Sequence, residues 1–184
     1  MLLARMTLLV AICGLVAACA GGPSPDKPID VNTVSLPAAA SAAAEAESPL
    51  SRAVLKAVNE FRTSKNVAPL SNDGVLQRAA AVHAADMKLR GFYGHHNPDA
   101  QGPRERVLAT SPTFKGKVGE NIQIVEGQTY ASMSDEALAK TLVDKWAMSP
   151  AHRKNMQSPD MAQSGVGIAR SGEKFIVVQV FSGS

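Results

Sequence analysis

The chain has 184 residues, 45% of them hydrophobic and 19% charged, with two cysteines and a formal net charge of +3. That length suits one domain with additional segments. The basic excess is scattered, without a basic run interleaved with aromatics, which argues against nucleic acid as a partner; a weak attraction to anionic lipid or cell-wall polymer is the most it licenses.

Residues 1–18 do not read as domain. MLLARM carries one positive charge, and TLLVAICGLVAA is an apolar run too short to span a bilayer. The run ends VAAC, with small residues before Cys19, and so resembles a bacterial lipoprotein signal. On that reading residues 1–18 are removed and Cys19 is lipidated, which makes a membrane the first expected partner. The alternative is an ordinary secretory signal with an incidental cysteine. One acyl chain binds membranes marginally; the diacylglyceryl group with an N-acyl chain that the resemblance implies would anchor stably. Cys13 lies in the leader, so the mature body has no thiol beyond Cys19. Disulfides, thiol catalysis and cysteine-based zinc sites are thereby excluded from the domain.

Residues 19–48 are expected to be a lipidated, flexible linker. They are rich in Pro, Ala, Ser and Gly, lack aromatics, and cannot bury enough surface to offset their ordering entropy. AAASAAAEAE has high helix propensity but no stripe to dock. All eight aromatic residues follow position 60, which places the core in a domain spanning 49–184. That part holds 17 Lys+Arg and 12 Asp+Glu and is mildly basic.

Ser48-Pro49 predicts a first helix, with an N-cap candidate and a proline at the first helical position. Leu50, Val54, Val58 and Phe61 give it an apolar face, and Asn66 and Pro69 end it. Asn72 or Asp73 caps a second helix, which runs to Arg90, stops at Gly91, and buries Leu76, Ala79, Ala80, His83 and Met87. Phe92–Pro112 reads as loop with a short helix around Arg104–Ala109. ENIQIV (120–125) predicts a strand. Ser132 and Asp135 form a capping-box pattern for a third helix ending near Met148. At the C-terminus SGVGIAR, Ser-Gly and EKFIVVQVF predict a hairpin. FIVVQVF is apolar on both alternating faces apart from Gln179, so that strand is covered on both sides. The fold class expected is α+β: a three-layer α-β-α sandwich with a small, mainly antiparallel sheet between helices.

With no HExxH, GxSxG or phosphate loop present, chemistry must rest on histidines, carboxylates or hydroxyls. His83, on a buried helical face, reads as a core histidine with one hydrogen bond. His95 and His96 sit in a loop after a helix stop, where functional groups often lie. Glu120 enters a buried strand and requires a partner or a raised pKa. In WAMSPAHRKNM (146–156), Ser149 as N-cap and Pro150 as N1 put His152 at N3. The positive helix N-terminus disfavours imidazolium there, so a neutral ring is expected, free to accept a proton or hydrogen bond or to bind a metal. Alternatively, His152 caps the preceding helix end.

Taken in order, AAAVHAADM, GFYGHHNPDAQGPRERV, GENI, WAMSPAHRKNM, GVGIAR and FIVVQVFS resemble the CAP (SCP/PR-1-like) superfamily, particularly its bacterial branch, over about Leu50–Ser182. The resemblance implies the same sandwich and a cavity lined by two histidines and two glutamates. His95, Glu120 and His152 match three of those positions, and Ser149 stands where the second glutamate would be. One carboxylate fewer implies no required cofactor and at most weak zinc or other divalent-cation binding by His95 and His152. Arg106 and Asn155 also match, read as loop anchoring and backbone hydrogen bonds; Asn59 and Arg62 match an N-x-x-R pattern that ties the first helix to a loop.

Three functions are consistent with this. The first is a non-enzymatic, membrane-tethered binding module, monomeric, for a lipid, peptide or cell-wall ligand. The second is a hydrolase in which Glu120 and His152 are the catalytic candidates. The third is a structural envelope protein. The expected place is the extracytoplasmic cell envelope. Ala20 lacks the aspartate linked with inner-membrane retention, which favours the outer membrane in a cell that has one.

Overall fold

The computed structural model describes residues 35–45 and 47–184. The expected leader, Cys19 and most of the expected linker lie outside the described residues. In chain order the elements are α1 (Ala38–Ala43), α2 (Pro49–Ser64), β1 (Ser71–Asn72), α3 (Gly74–Arg90), α4 (Pro103–Thr110), β2 (Lys117–Glu126), α5 (Gln128–Ala131), α6 (Asp135–Met148), α7 (Pro150–Gln157), β3 (Met161–Ser171) and β4 (Lys174–Gly183).

Local chemistry explains most boundaries. Ser48 and Ser51 exchange side-chain-to-backbone bonds at the start of α2, with Pro49 at N1. Asp73 caps α3 by accepting from the Leu76 amide at 2.9 Å, and Gly91 ends it in the left-handed region at φ 67°. The expected cap at Ser132 is corrected to Ser134, which accepts from the Ala137 amide at 3.3 Å. Gly127 opens the one-turn α5, and that turn consumes Ser132, whose amide donates to Gln128. The hairpin turn is Gly172-Glu173 rather than Ser171-Gly172, since Ser171 still pairs with Lys174 and the positive φ of 59° falls on Gly172.

The sheet runs β1-β3-β4-β2, with β1 parallel to β3 and the other pairs antiparallel. β4 is buried on both faces, as its composition predicts. Phe175, Val177 and Phe181 pack with Leu50, Val54, Leu142, Trp146 and Met156 of α2, α6 and α7. Ile176, Val178 and Val180 pack with Leu76, Ala80, Met87 and Val107 of α3 and α4. This is the α-β-α sandwich. Gln179, the polar interruption, is fully buried and donates to the Ser164 hydroxyl at 2.9 Å.

Two devices bring the layers together. On one side α3 lies directly on β3: a Cβ on Gly165 would fall on the backbone of Leu76 and Gln77, and one on Gly167 on that of Ala80 and Ala81. On the other, Arg62 is fully buried and donates to the carbonyls of Ala68 (2.7 Å), Met156 (2.8 Å), Ser158 (3.0 Å) and Met161 (2.8 Å). It satisfies the end of α7 and the start of β3 from α2. Asn59 pairs twice with the Leu70 backbone, at 2.9 and 2.8 Å. The N-x-x-R pattern therefore does tie the first helix to loops.

One expectation for the linker is corrected. Ala38–Ala43 is helical and docked: Ala40 is 1% exposed and packs against Val82 and Ala85 on the outer side of α3. Its alanines need no large apolar stripe because the facing surface is also built of small residues. Among the described residues, no helix is long and apolar enough to cross a membrane.

Gly167→Ala is expected to lower stability by more than about 3 kcal/mol, because the helix backbone cannot yield to a methyl group there. Gly74→Ala, with open space around its Cβ, should be neutral or gain up to about 1 kcal/mol. Denaturant melts of the two variants check this, and equal effects would contradict the close α3–β3 contact.

Candidate functional site

The fold places His95, Glu120 and His152 around the start of β2. His95 follows α3 in the loop that Gly91 opens, Glu120 is the fourth residue of β2, and His152 lies in the first turn of α7. Glu120 is the centre. Its side chain is 1% exposed, yet both oxygens are occupied: Oε1 accepts from His95 Nδ1 at 2.8 Å and Oε2 from the Arg106 guanidinium at 2.6 Å. Burial alone would raise its pKa; the His95 hydrogen bond and the Arg106 charge outweigh that and hold it below the ordinary carboxylate value. The carboxylate's need for a partner is thus met, and Glu120 stays ionised.

Arg106 does more than the loop anchoring expected of it. It does anchor the loop, through the carbonyls of His95 (2.9 Å) and Gln101 (2.7 Å). It is also the buried counter-ion of Glu120, with a side chain 1% exposed. The signal available in sequence was the unpaired glutamate itself, since a buried carboxylate demands a cation, and Arg106 was the basic residue already matching a family position.

His83 stands behind the same carboxylate. Its Nε2 is 2.9 Å from the Gly94 carbonyl and 4.0 Å from Glu120 Oε1, and its ring is fully buried. The Gly94 carbonyl accepts only, so Nε2 carries the proton and Nδ1 is the unprotonated atom; Nδ1 is buried without a partner among the described residues. Desolvation, reinforced by Arg106, pushes its pKa down to about 4. It is a core histidine with one hydrogen bond, as expected, and it also closes the inner wall of the site.

Because ionised Glu120 can only accept, His95 donates through Nδ1, so in its neutral tautomer the ring lone pair is on Nε2. The His95 side chain is 46% exposed, so the ring is open to solvent. His152 is half-buried. Its pKa is lowered by burial first and by the neighbouring His95 second, which agrees with the neutral ring expected in the first turn of α7. Asn155 donates to the Glu120 carbonyl (3.1 Å) and to Asn121 Oδ1 (2.9 Å), and Asn121 donates to the His152 carbonyl (3.1 Å). These amides pin α7 to β2 and so fix His152 relative to Glu120.

Ser149 is both the residue that closes α6 and the N-cap position of α7, but its side chain makes no capping bond. Ser149 is thus the N-cap expected, with Pro150 at N1, and it serves through its backbone, donating to Trp146 (3.1 Å) and accepting from Arg153 (2.9 Å). Arg153 in turn caps α6 by donating to Ala147 at 2.7 Å. His96 is exposed, with its ring against Gly102.

The donor set suits a resident metal poorly. His95 Nδ1 and both Glu120 oxygens are committed to one another and to Arg106, leaving two imidazoles as ligands where a closed zinc shell needs four. Among the described residues, no three His, Cys, Asp or Glu side chains are grouped to hold one ion.

The buried histidine makes stability pH-dependent. The folded pKa of about 4 lies below the unfolded 6.5, so the unfolded chain takes up the proton first. Stability is full above about pH 6.5 and falls as pH drops toward 4. Between pH 7 and 5 the expected loss from His83 is about 2 kcal/mol, and His152 adds in the same direction. Urea melts of wild type and His83→Gln at both pH values check this; an unchanged difference in the variant would contradict it.

Residues 55–181 match the family described as "CAP: Cysteine-rich secretory protein family". The uncharacterized protein YkwD of Bacillus subtilis (strain 168) is 29% identical over 119 residues, which are 65% of this chain and 42% of that protein; the chain thus spans under half the length of that relative. Two solved structures share the fold. An outer surface protein from Borrelia burgdorferi has TM-score 0.60 and 17% identity, covering 72% of this chain and 90% of that one. An extracellular protein with an SCP domain from Bacillus anthracis str. Ames has TM-score 0.57 and 21% identity, covering 76% and 45%. The family match covers more than half of the sequence and every residue of the Glu120 cluster, and the chain belongs to the CAP family.

Proposed function

We propose that this is an extracytoplasmic CAP-domain lipoprotein, tethered through Cys19, whose His95–Glu120–His152 cluster recognises a ligand without transforming it. The carrying observation is the state of Glu120. Its carboxylate is 1% exposed, and both oxygens are taken by His95 and Arg106. A group so engaged cannot take a proton from a substrate or reach a water; it orients His95 instead. The cluster then offers His95 Nε2, which Glu120 leaves unengaged, and a neutral His152 ring, groups that pair with the hydroxyls or amides of a ligand. Peptides and cell-wall fragments carry such donors, as do lipid headgroups. The envelope location is supported by relatives that are an outer surface protein and an extracellular protein.

A hydrolase is the second reading, favoured by one observation: a carboxylate-bound histidine with a free Nε2 is the arrangement of a general base. There His95 would take the proton, with Glu120 as its orienting partner and His152 beside it. A divalent cation would be a weak guest of His95 and His152.

Backbone amide resonances, together with the ring resonances of His95 and His152, followed by NMR during titration with peptides, muropeptides and lipid headgroups, test the first reading. Shifts centred on His95 and His152, with each ligand recovered intact, are expected. Shifts confined to the groove of about 740 Å³ lined by Arg52, Lys56, Phe61 and Val143 would place binding elsewhere. Product formation abolished by His95→Gln would favour the hydrolase. Adding zinc should raise the melting temperature little, and a large rise lost in both His95→Ala and His152→Ala would contradict the weak-guest assignment.

A further inference from the structure

The short helix ahead of the domain poses a physical problem. α1 has six residues, no side-chain cap at Pro37 and no charged residue in its end turns. A helix that short is not stable in water by itself, so its order must come from docking. Docking is what the contacts describe. Ala40 is buried against Val82 and Ala85, with Leu36 and Ala44 packed alongside. Arg78 of α3 donates to the Ser41 carbonyl at 2.8 Å. Beyond the helix, Glu47 accepts from Asn72 at 3.0 Å.

The other end of this strap reaches the candidate site. Gln101 Nε2 donates to the Ser35 carbonyl. Gln101 is also the hub of the loop beneath His95: it exchanges bonds with Asn97 through side chain and backbone (2.9 to 3.1 Å), and its carbonyl accepts from Arg106 at 2.7 Å. Arg106 holds Glu120, and Glu120 holds His95. Every step from Ser35 to His95 is a direct hydrogen bond.

We infer that the docked strap Ser35–Ala44 braces the His/Glu cluster, with Gln101 as the positioning residue that joins them. The segment leading into the domain then acts on the geometry of the site rather than serving only as spacer. Whatever restrains the chain ahead of Ser35 is felt at the loop that fixes Arg106. This holds whichever ligand the site takes and whether or not it catalyses, so it stands or falls separately from the proposed function.

Two variants of the full chain test it. Ala40→Asp puts a carboxylate into the α1–α3 contact. Gln101→Glu removes the donor to Ser35 while keeping the side-chain oxygen that accepts from Asn97. Amide hydrogen exchange is read at Ser41, whose amide bonds to Pro37, and at Asn97 and Gln101, with β3 and β4 amides as reference; the Arg106 guanidinium ¹⁵N resonances report the ion pair. Ala40→Asp is expected to abolish protection at Ser41. Both variants should speed exchange at Asn97 and Gln101 at least about tenfold and shift the Arg106 resonances, with the reference amides unchanged. The inference is overturned if Ser41 loses protection while Asn97 and Gln101 stay within about twofold of wild type. It is equally overturned if Ser41 stays protected in Ala40→Asp, or if Gln101→Glu leaves the loop amides and Arg106 unmoved.

Discussion

The buried pair of Arg106 and Glu120 is the interaction on which the site depends. Each side chain is 1% exposed, and their charges lie 2.6 Å apart. Removing either partner would strand a full charge in the interior, at a cost of about 3–5 kcal/mol. The pair therefore joins α4 to β2 in one fixed arrangement, and the rest of the cluster is built on it. Ionised Glu120 accepts the hydrogen bond of His95 Nδ1, which leaves Nε2 as the ring nitrogen not engaged by the carboxylate. Burial and the Arg106 charge together keep His83 neutral behind the carboxylate. The charges of Arg106 and Glu120 thus balance each other within the protein.

The sandwich supplies the rigidity this requires. Gly165 and Gly167 let α3 rest on β3 without intervening side chains, which fixes the loop that begins at Gly91 and carries His95. Arg62 performs the matching task on the other face by satisfying backbone carbonyls at the end of α7 and the start of β3. With Asn155 and Asn121 locking α7 to β2, the two histidines are set from opposite layers onto one strand. Neither layer alone would make the cluster.

Much of the fold was legible because the signals are local. Ser48-Pro49, Asp73 and Gly91 mark helix ends by capping chemistry that acts within four residues, and β4 declares itself buried on both faces by its apolar run. The three cluster residues were legible through the order of family motifs, with Ser149 as the departure. What was not legible is non-local. Nothing near Arg106 in sequence says that its guanidinium meets Glu120, fourteen residues on, although a buried carboxylate had to have some partner. The docking of α1 was missed because alanine pairs with alanine, and a small-residue surface leaves no periodic apolar stripe to read. Ser132 and Ser134 offer equal caps, and only the turn opened by Gly127 decides between them.

The most direct test is a double-mutant cycle on Arg106 and Glu120, measured by denaturant unfolding of wild type, Arg106→Met, Glu120→Gln and the double variant. Each single change should cost about 3 kcal/mol or more, and the double variant should cost no more than the worse single, giving a coupling of at least about 2 kcal/mol. Additive losses, with coupling near zero, would contradict the claim that this pair organises the site.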